Sequence, residues 1–527
     1  MNRFALSALI GVVAVCPAPL RSQVPPSVAL SSLTSNNTSA CTGAGKPDAG
    51  CYAAFAGLSD PNFIPSIYEP KPQNVSRVSI RSLMYSGSNT FMFAHYQPWF
   101  YQGNTKKIAT GYNSNNTYTV AQQINDMTAR GFKGVVIDWY GQYGGDQSGY
   151  DDGTTLKIQS NLTPKCGATT CPFYFALMED KGALSYYTGT NVCQPLPAAS
   201  SVAGCEADLE ADLAYMKKTY FGSNAYLKLT APPGNVFSFT GRPVVFLFLL
   251  PGSSYSIGEA GWNTVWTNVI AWAQTNADNP LFWIESQFTP QTTYGYPNSD
   301  AVGAYGWINW NNDTSGYKGQ YDTGDLYGFD ALTGYYYTSY YGNYYKTQAV
   351  TGVGYKGFDD YASWGKVPNY NHPVIAQNCG QTFVQSIQTY AGKYYNSTTQ
   401  LPFLGAAVWN DYDEGSEIET GIDNCVSSFT ASLTNSTLNW NIQFYNYNSE
   451  NSGSETTVYN YVVYYTTDGT TLYKAGTVPS GTHTVSNLCT FYKSIPTGAT
   501  IYVQAQGQPS IFNHLASTPT KYTNNCG

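Results

Sequence analysis

Eight short apolar runs, several of them separated by amphipathic stretches, constrain this chain more than any other feature. They lie at 90–96, 134–137, 173–178, 243–250, 281–285, 301–308, 353–358 and 404–408. A run that is apolar at successive positions, not alternate ones, belongs to a strand covered on both faces, as in a parallel sheet flanked by helices. The intervening segments supply such helices. Residues 119–130 place Val120, Ile124 and Met127 at helical spacing and end at Gly131, a C-terminal cap. Residues 206–220 carry Leu209, Leu213 and Met216, residues 258–276 carry Trp262, Val265, Trp266, Val269 and Trp272, and 382–394 form a fourth. Eight strands spread over about 340 residues favour an α/β fold of the (β/α)8 TIM-barrel type, spanning 86–429, over an open doubly wound sheet.

Beyond residue 430 the texture changes. Short alternating strands at 438–440, 457–465, 471–473 and 500–504 are joined by turns such as Asp468-Gly469, and no long helical pattern remains. This is the pattern of a C-terminal β-sandwich over 430–527. The order Val-Val-Tyr-Tyr-Thr-Thr-Asp-Gly (462–469) then Ile-Tyr-Val-Gln-Ala (501–505) is similar to a fibronectin type III module.

The first 22 residues have the form of a cleaved export signal: a basic start at Arg3, an apolar run over 4–15, then small residues and proline. That run is too short to span a bilayer. Cys16 sits where a lipidated cysteine could, but Val15 before it is large for such a site. Of 11 cysteines, ten remain after the signal, and in an exported chain they read as disulfides. Cys41 and Cys51, Cys166 and Cys171, and Cys193 and Cys205 are near neighbours; connectivity is not readable from sequence, and these local pairs with Cys379–Cys425 and Cys489–Cys526 are one arrangement among those open. Residues 23–85, rich in Ser, Pro, Asn and Gly, read as an irregular leader that packs onto a domain. Asn74, Asn161, Asn312, Asn396 and Asn435 open glycosylation sequons.

Net charge is −8 and no basic run occurs, which argues against nucleic acid and anionic membranes as partners. Aromatic residues make up 16% of the chain, with 47 Tyr and 11 Trp. Tyr and Trp join a flat apolar face to a hydrogen-bonding edge, a combination suited to sugar rings and equally to a strand-rich extracellular protein. The tyrosine-dense stretch within 309–350 is either a packed aromatic loop or one wall of a sugar cleft.

The eighth apolar run breaks into Trp409-Asn410 and then Asp411, Asp413, Glu414, Glu417 and Glu419, five acids in nine positions where only 11% of the chain is charged. A strand that delivers carboxylates from its C-terminal end is how barrel enzymes build active sites. Hydrolysis of a glycosidic bond needs one carboxylic acid to protonate the leaving oxygen and a second carboxylate to assist water or attack the sugar. Asp411 and Glu414, three apart, are the candidates, with Asp138 at the end of the second run as a third. His95, Tyr96 and Trp99 after the first strand, Trp139 and Tyr140 after the second, and Trp307 after the sixth are candidate sugar contacts. Asp359, Asp360, Trp409, Asn410 and Glu417 complete that set. Other motifs fail on context. Gly352 to Gly357 spells G-x-G-x-x-G without a strand before and a helix after it, 146–152 lacks EF-hand spacing, and no G-x-S-x-G elbow occurs. No metal or cofactor signature is present.

Trp409-Asn410-Asp411-Tyr412-Asp413-Glu414 resembles the W-N-D-Y-x-E segment of glycoside hydrolase family 71, the endo-α-1,3-glucanases. The run 410–419 is also similar to the N-E-W-H-E-G-T-Q-I-E segment of family 99, the endo-α-mannanases and endomannosidases. Phe93-Ala94-His95-Tyr96 and 134–141 sit where those barrels keep their first two strand motifs. The resemblance covers a few short motifs within 90–425. It implies that Asp411 and Glu414 occupy the two catalytic carboxylate positions and that Asp138 matches a site carboxylate. Asp411 replaces the Glu of family 99, while Asp413 and Gly415 depart from family 71. Family 71 inverts and family 99 retains, so the mixed motif leaves stereochemistry open. The expectation is an exported endo-acting glycoside hydrolase on α-1,3-glucan or α-mannan. A non-catalytic polysaccharide-binding or surface-layer protein would use the same aromatics and disulfides.

Overall fold

The computed structural model describes residues 27–29, 75–100, 112–144, 149–185, 193, 200–229, 241–248, 256–285, 302–308, 350–359, 374–388, 396–444, 453–491 and 495–523, less a few single positions. Eight strands form one parallel set: β1 (Phe91–Tyr96), β2 (Gly134–Trp139), β3 (Tyr174–Asp180), β4 (Arg242–Phe248), β5 (Leu281–Glu285), β6 (Val302–Tyr305), β7 (Val350–Gly354) and β8 (Phe403–Ala406). Each pairs in parallel with its sequence neighbours, and β8 pairs with both β7 and β1, so the cycle of pairings returns to its start. Helices α1 (Thr117–Ala129), α2 (Tyr150–Leu162), α3 (Val202–Met216), α4 (Gly258–Asn276) and α5 (Gln381–Gln388) lie between strands in the chain.

Strand parity divides the side chains into two buried layers. Phe91, Phe93, Val136, Ala176, Met178, Phe246, Trp283, Tyr305, Val353 and Phe403 form one apolar cluster drawn from all eight strands, which places it inside the ring. Met92, Ala94, Val135, Ile137, Phe175, Leu177, Val245, Phe282 and Leu404 pack instead with helix residues such as Val120, Ile124, Leu209 and Trp266. The inner layer is held by edge-on aromatic pairs, with Phe93–Phe246 centroids 5.4 Å apart, Phe246–Trp283 4.9 Å and Trp283–Phe403 4.8 Å. Such pairs each add about 0.5–1.5 kcal/mol beyond burial. Gly405 faces this layer. A Cβ there would lie 3.0 Å from the Phe93 ring and 3.1 Å from His95 Nε2, so a larger residue would have to push these rings aside by a few tenths of an ångström.

Two expected boundaries move. The seventh strand, expected over 353–358, runs Val350–Gly354, because Tyr355 N leaves the ladder to donate to Ser386 Oγ (3.1 Å). The helix expected over 206–220 starts four residues earlier, where the Ser201 side chain accepts from Gly204 N. α1 begins at an Asn116 side chain that accepts from Tyr118 N and Thr119 N, and Gly131 beyond its end takes φ 93°. The tyrosine-rich stretch 309–349 lies outside the described residues.

From residue 426 pairing is antiparallel. Strands β9 (Val426–Thr434) and β10 (Thr437–Phe444) form a hairpin, and β11 (Val458–Thr466) pairs with both β12 (Thr471–Pro479) and β13 (Thr500–Gly507). Phe429, Leu438, Trp440 and Ile442 from the hairpin share one core with Tyr461, Val463, Val478, Ile501 and Val503 from the other sheet. Within the leader, the strand Ser27–Ala29 pairs with residues 471–473 at the edge of that second sheet.

Three of the expected cysteine pairs are disulfides: Cys166–Cys171, Cys193–Cys205 and Cys379–Cys425. Cys489 is also disulfide-bonded, while Cys41, Cys51 and Cys526 lie outside the described residues. The Cys379–Cys425 bridge closes a segment of sequence separation 46 and links the approach to α5 with the entry to β9. Replacing both cysteines by serine is expected to lower unfolding stability by about 2–4 kcal/mol, measured by denaturant titration. A change below ~0.5 kcal/mol would show that the denatured chain is not constrained by this bridge.

Candidate active site

At the end of β8 the chain forms a loop over 408–419 closed by its own backbone. Ile418 N donates to Val408 O (2.9 Å) and Glu419 N to Trp409 O (2.8 Å), while Trp409 N donates to His95 O at the end of β1 (2.6 Å). Asn410 stitches the loop to the residue after that strand. Its Oδ1 accepts from Gln97 N (2.8 Å) and its Nδ2 donates to Gln97 O (2.9 Å). The Gln97 side chain then donates to Asp411 Oδ2 (3.1 Å), and Asp411 Oδ1 accepts the backbone N–H of Asp413 (3.1 Å) and Glu414 (3.2 Å). Three N–H donors thus point at Asp411, an arrangement suited to an acceptor-only carboxylate.

The acids are not a solvated run. Asp411, Asp413, Glu417 and Glu419 are each no more than 5% exposed, and only Glu414 reaches half-buried. Glu417 pairs with buried Lys356, which follows β7 (Nζ–Oε1 2.7 Å), and also accepts from Thr420 Oγ1 (3.1 Å). Glu419 accepts from Tyr112 OH (3.0 Å), Tyr412 OH (2.8 Å) and Gln123 Nε2 of α1 (2.9 Å). Burial outweighs these three donors and raises the Glu419 carboxyl to about 7. Arg130, one residue past α1, donates to Ile418 O (2.5 Å) and lies 5.2 Å from the Trp409 ring centroid.

Inside the ring, His95 meets Trp307 edge-on at 4.6 Å and lies among Phe93, Phe246 and Tyr305. Burial lowers His95 to about 3, so the imidazole is uncharged at neutral pH. Asp138 shares the inward parity of Val136 and is buried. Trp99 packs edge-on against Tyr140 at 5.3 Å, in a cluster with Phe100, Tyr112 and Tyr412 of the acidic loop.

The structure therefore ties Asn410 and Asp411 to the residue after β1, brings Tyr412 of the same turn into the cluster of Trp99 and Tyr140, keeps Glu414 on that turn through its N–H to Asp411, and sets His95, Asp138 and Trp307 on the inner face of the ring. Three residues expected as sugar contacts are placed elsewhere. Tyr96, Trp139 and Trp409 face the helices, each one position past an inward-facing residue. Tyr96 OH donates to Gln123 Oε1 (2.7 Å), Trp139 Nε1 donates to Asp152 Oδ1 (3.0 Å), and Trp409 packs against Phe132 and Arg130. Glu417, expected as a subsite ligand, is taken up by Lys356. Asp359 closes a two-residue strand; its side chain and Asp360 lie outside the described residues. Sequence reasoning misses Gln97, Tyr112, Gln123, Arg130 and Lys356; Gln97 and Lys356 stand as polar residues among aromatic neighbours, and the other three carry no local signal. Among the described residues no group of three or more His, Cys, Asp or Glu is arranged for a metal, and no helix is long and apolar enough to cross a membrane.

No protein-family model matches the chain, and no curated protein matches it. Solved structures similar to it include the GH99 endo-alpha-mannosidase from Bacteroides thetaiotaomicron, at 10% identity and TM-score 0.39 over 62% of this chain and 87% of that one. A glycoside hydrolase-like protein aligns at 14% identity and TM-score 0.44 over 64% and 88%. The Parabacteroides merdae beta-glucuronidase aligns at 8% and 0.35 over 84% and 50%. At TM-scores below 0.5 these likenesses assign no chemistry to the site.

Glu419 gives the site a pH signature. Its carboxyl titrates near 7 in the folded chain against 4.5 for the ordinary value, so the folded state holds a proton that the unfolded state has lost between those limits. The associated stability is full below about pH 4.5 and is lost as pH rises through about 7, a fall on the order of 3 kcal/mol. Glu419→Gln is expected to flatten this part of the stability profile, measured by unfolding at a series of pH values. An unchanged slope would assign the titration to another group.

Proposed function

We propose that this chain is an exported glycoside hydrolase, with the ring of strands as a (β/α)8 barrel and the C-terminal unit as a fibronectin type III-like β-sandwich. The observation that carries this reading is the acidic loop at the carboxyl end of β8. It fixes Asp411 by three N–H donors and presents the less buried Glu414 three residues on. Asp411 then acts as the ionised carboxylate that assists water or attacks the sugar, and Glu414 as the proton donor to the leaving oxygen. Asp138 adds a third carboxylate from β2, and His95 offers uncharged imidazole nitrogens to sugar hydroxyls. Trp99, Tyr140 and Trp307 supply aromatic faces. Together with the motif resemblance, this favours internal cleavage of an α-linked glucan or mannan.

One observation favours a non-catalytic polysaccharide-binding protein instead: most of the loop acids are buried and engaged, Glu417 in an ion pair. A screen of the purified protein on α-1,3-glucan, α-mannan and other polysaccharides, with product sizes recorded, separates the two readings. The hydrolase releases oligosaccharides, whereas the binder is retained on the polymer without product. Glu414→Gln and Asp411→Asn are each expected to lower kcat by roughly 100- to 10,000-fold with the thermal transition intact. Full activity in either variant removes that residue from the chemistry.

A further inference from the structure

The C-terminal unit reaches into the wall of the acidic loop. Phe512, on the connection after β13, is fully buried in the same apolar cluster as Trp409 and Ile418 of the loop, Ile422 just beyond it, and Phe383, Val384 and Ile387 of α5. It bridges in parallel with Ile422, and Asn513 N donates to Ile422 O (2.8 Å). The Asn513 side chain donates through Nδ2 to Thr420 O (3.0 Å). Thr420 in turn donates to Glu417, which Lys356 holds from β7. The loop is shaped to receive this contact. Gly421 takes φ +88°, and a Cβ there would fall 1.8 Å from Asn513 Oδ1.

We propose that residues 512 and 513 are positioning residues of the site, so that the C-terminal unit acts as a brace for the acidic loop and not as a separable appendage; the catalytic part of this rests on the hydrolase reading above. Among the described residues the loop is then gripped from four sides: by His95 and Gln97 at Trp409, Asn410 and Asp411, by α1 and Arg130 at Glu419 and Ile418, by Lys356 at Glu417, and by Asn513 at Thr420 and Ile422. The last of these comes from the C-terminal unit. Removing the Asn513 amide frees the carbonyl of Thr420 and loosens the turn that carries Asp411 and Glu414, without touching either carboxylate.

The test uses the full chain with Asn513→Ala, and with Phe512→Leu as a second variant should the first not fold. Amide hydrogen exchange at Ile418, Glu419 and Gly421 is expected to quicken at least tenfold, while amides of β11 and β13 keep their protection. On a polysaccharide that the parent cleaves, kcat is expected to fall at least tenfold with KM changed less than threefold. Tyr459→Ala, an exposed substitution elsewhere on the same unit, is expected to change neither readout. Exchange at those three amides within twofold of the parent, in a folded variant, overturns the brace. If the parent cleaves nothing, the hydrolase reading falls and the exchange measurement alone still decides whether the unit holds the loop.

Discussion

A carboxylate taken out of water must be paired or hydrogen-bonded, because its desolvation costs several kcal/mol otherwise. The loop after β8 buries four of them, and three find their partners on different elements. Asp411 is met by Gln97 beyond β1, Glu417 by Lys356 beyond β7, and Glu419 by Gln123 on α1 with Tyr112 and Tyr412. The cause is topological. β8 lies between β7 and β1, so a loop leaving its end is flanked by the residues that leave those two strands. The acids turn that adjacency into a fixed position: moving the loop would strand a buried charge or a buried donor at several points together.

The strands were legible because a parallel strand covered on both faces is apolar at every position, a pattern few other structures share. What apolar runs do not mark is which residue of a pair faces inward. Tyr96, Trp139 and Trp409 each follow an inward neighbour (His95, Asp138 and Val408) and so turn to the helices. Strand alternation, carried to the last residues of each run, is the signal that separates them. The partners of the acids were beyond reach by any local rule. Gln97 and Asn410 meet across 313 positions, and only the return of the pairing cycle from β8 to β1 brings them together.

Aromatic content also reads differently with the packing in view. Taken as composition, it suits sugar recognition. In the fold, Trp139, Trp262, Trp266, Trp283 and Trp409 are among the largest fully buried side chains, and Phe93, Phe246 and Phe403 fill the ring. Much of the aromatic surplus therefore serves the interior, where each ring removes a large apolar area from water. Trp99, Tyr140 and Trp307 lie at the strand ends, and Trp99 and Trp307 are themselves buried.

The distribution of charge at the loop follows from the same burial. Five acids within nine residues would repel strongly if all were ionised in one buried loop. Glu417 is neutralised by Lys356, and Glu419, raised to about 7, retains its proton over much of the range below neutrality. A local field thinned by Lys356 and by the Glu419 proton lowers the cost of holding the remaining acids in one turn. The two anchoring acids thus do more than fasten the loop: by holding a cation and a proton, they let the remaining acids sit side by side.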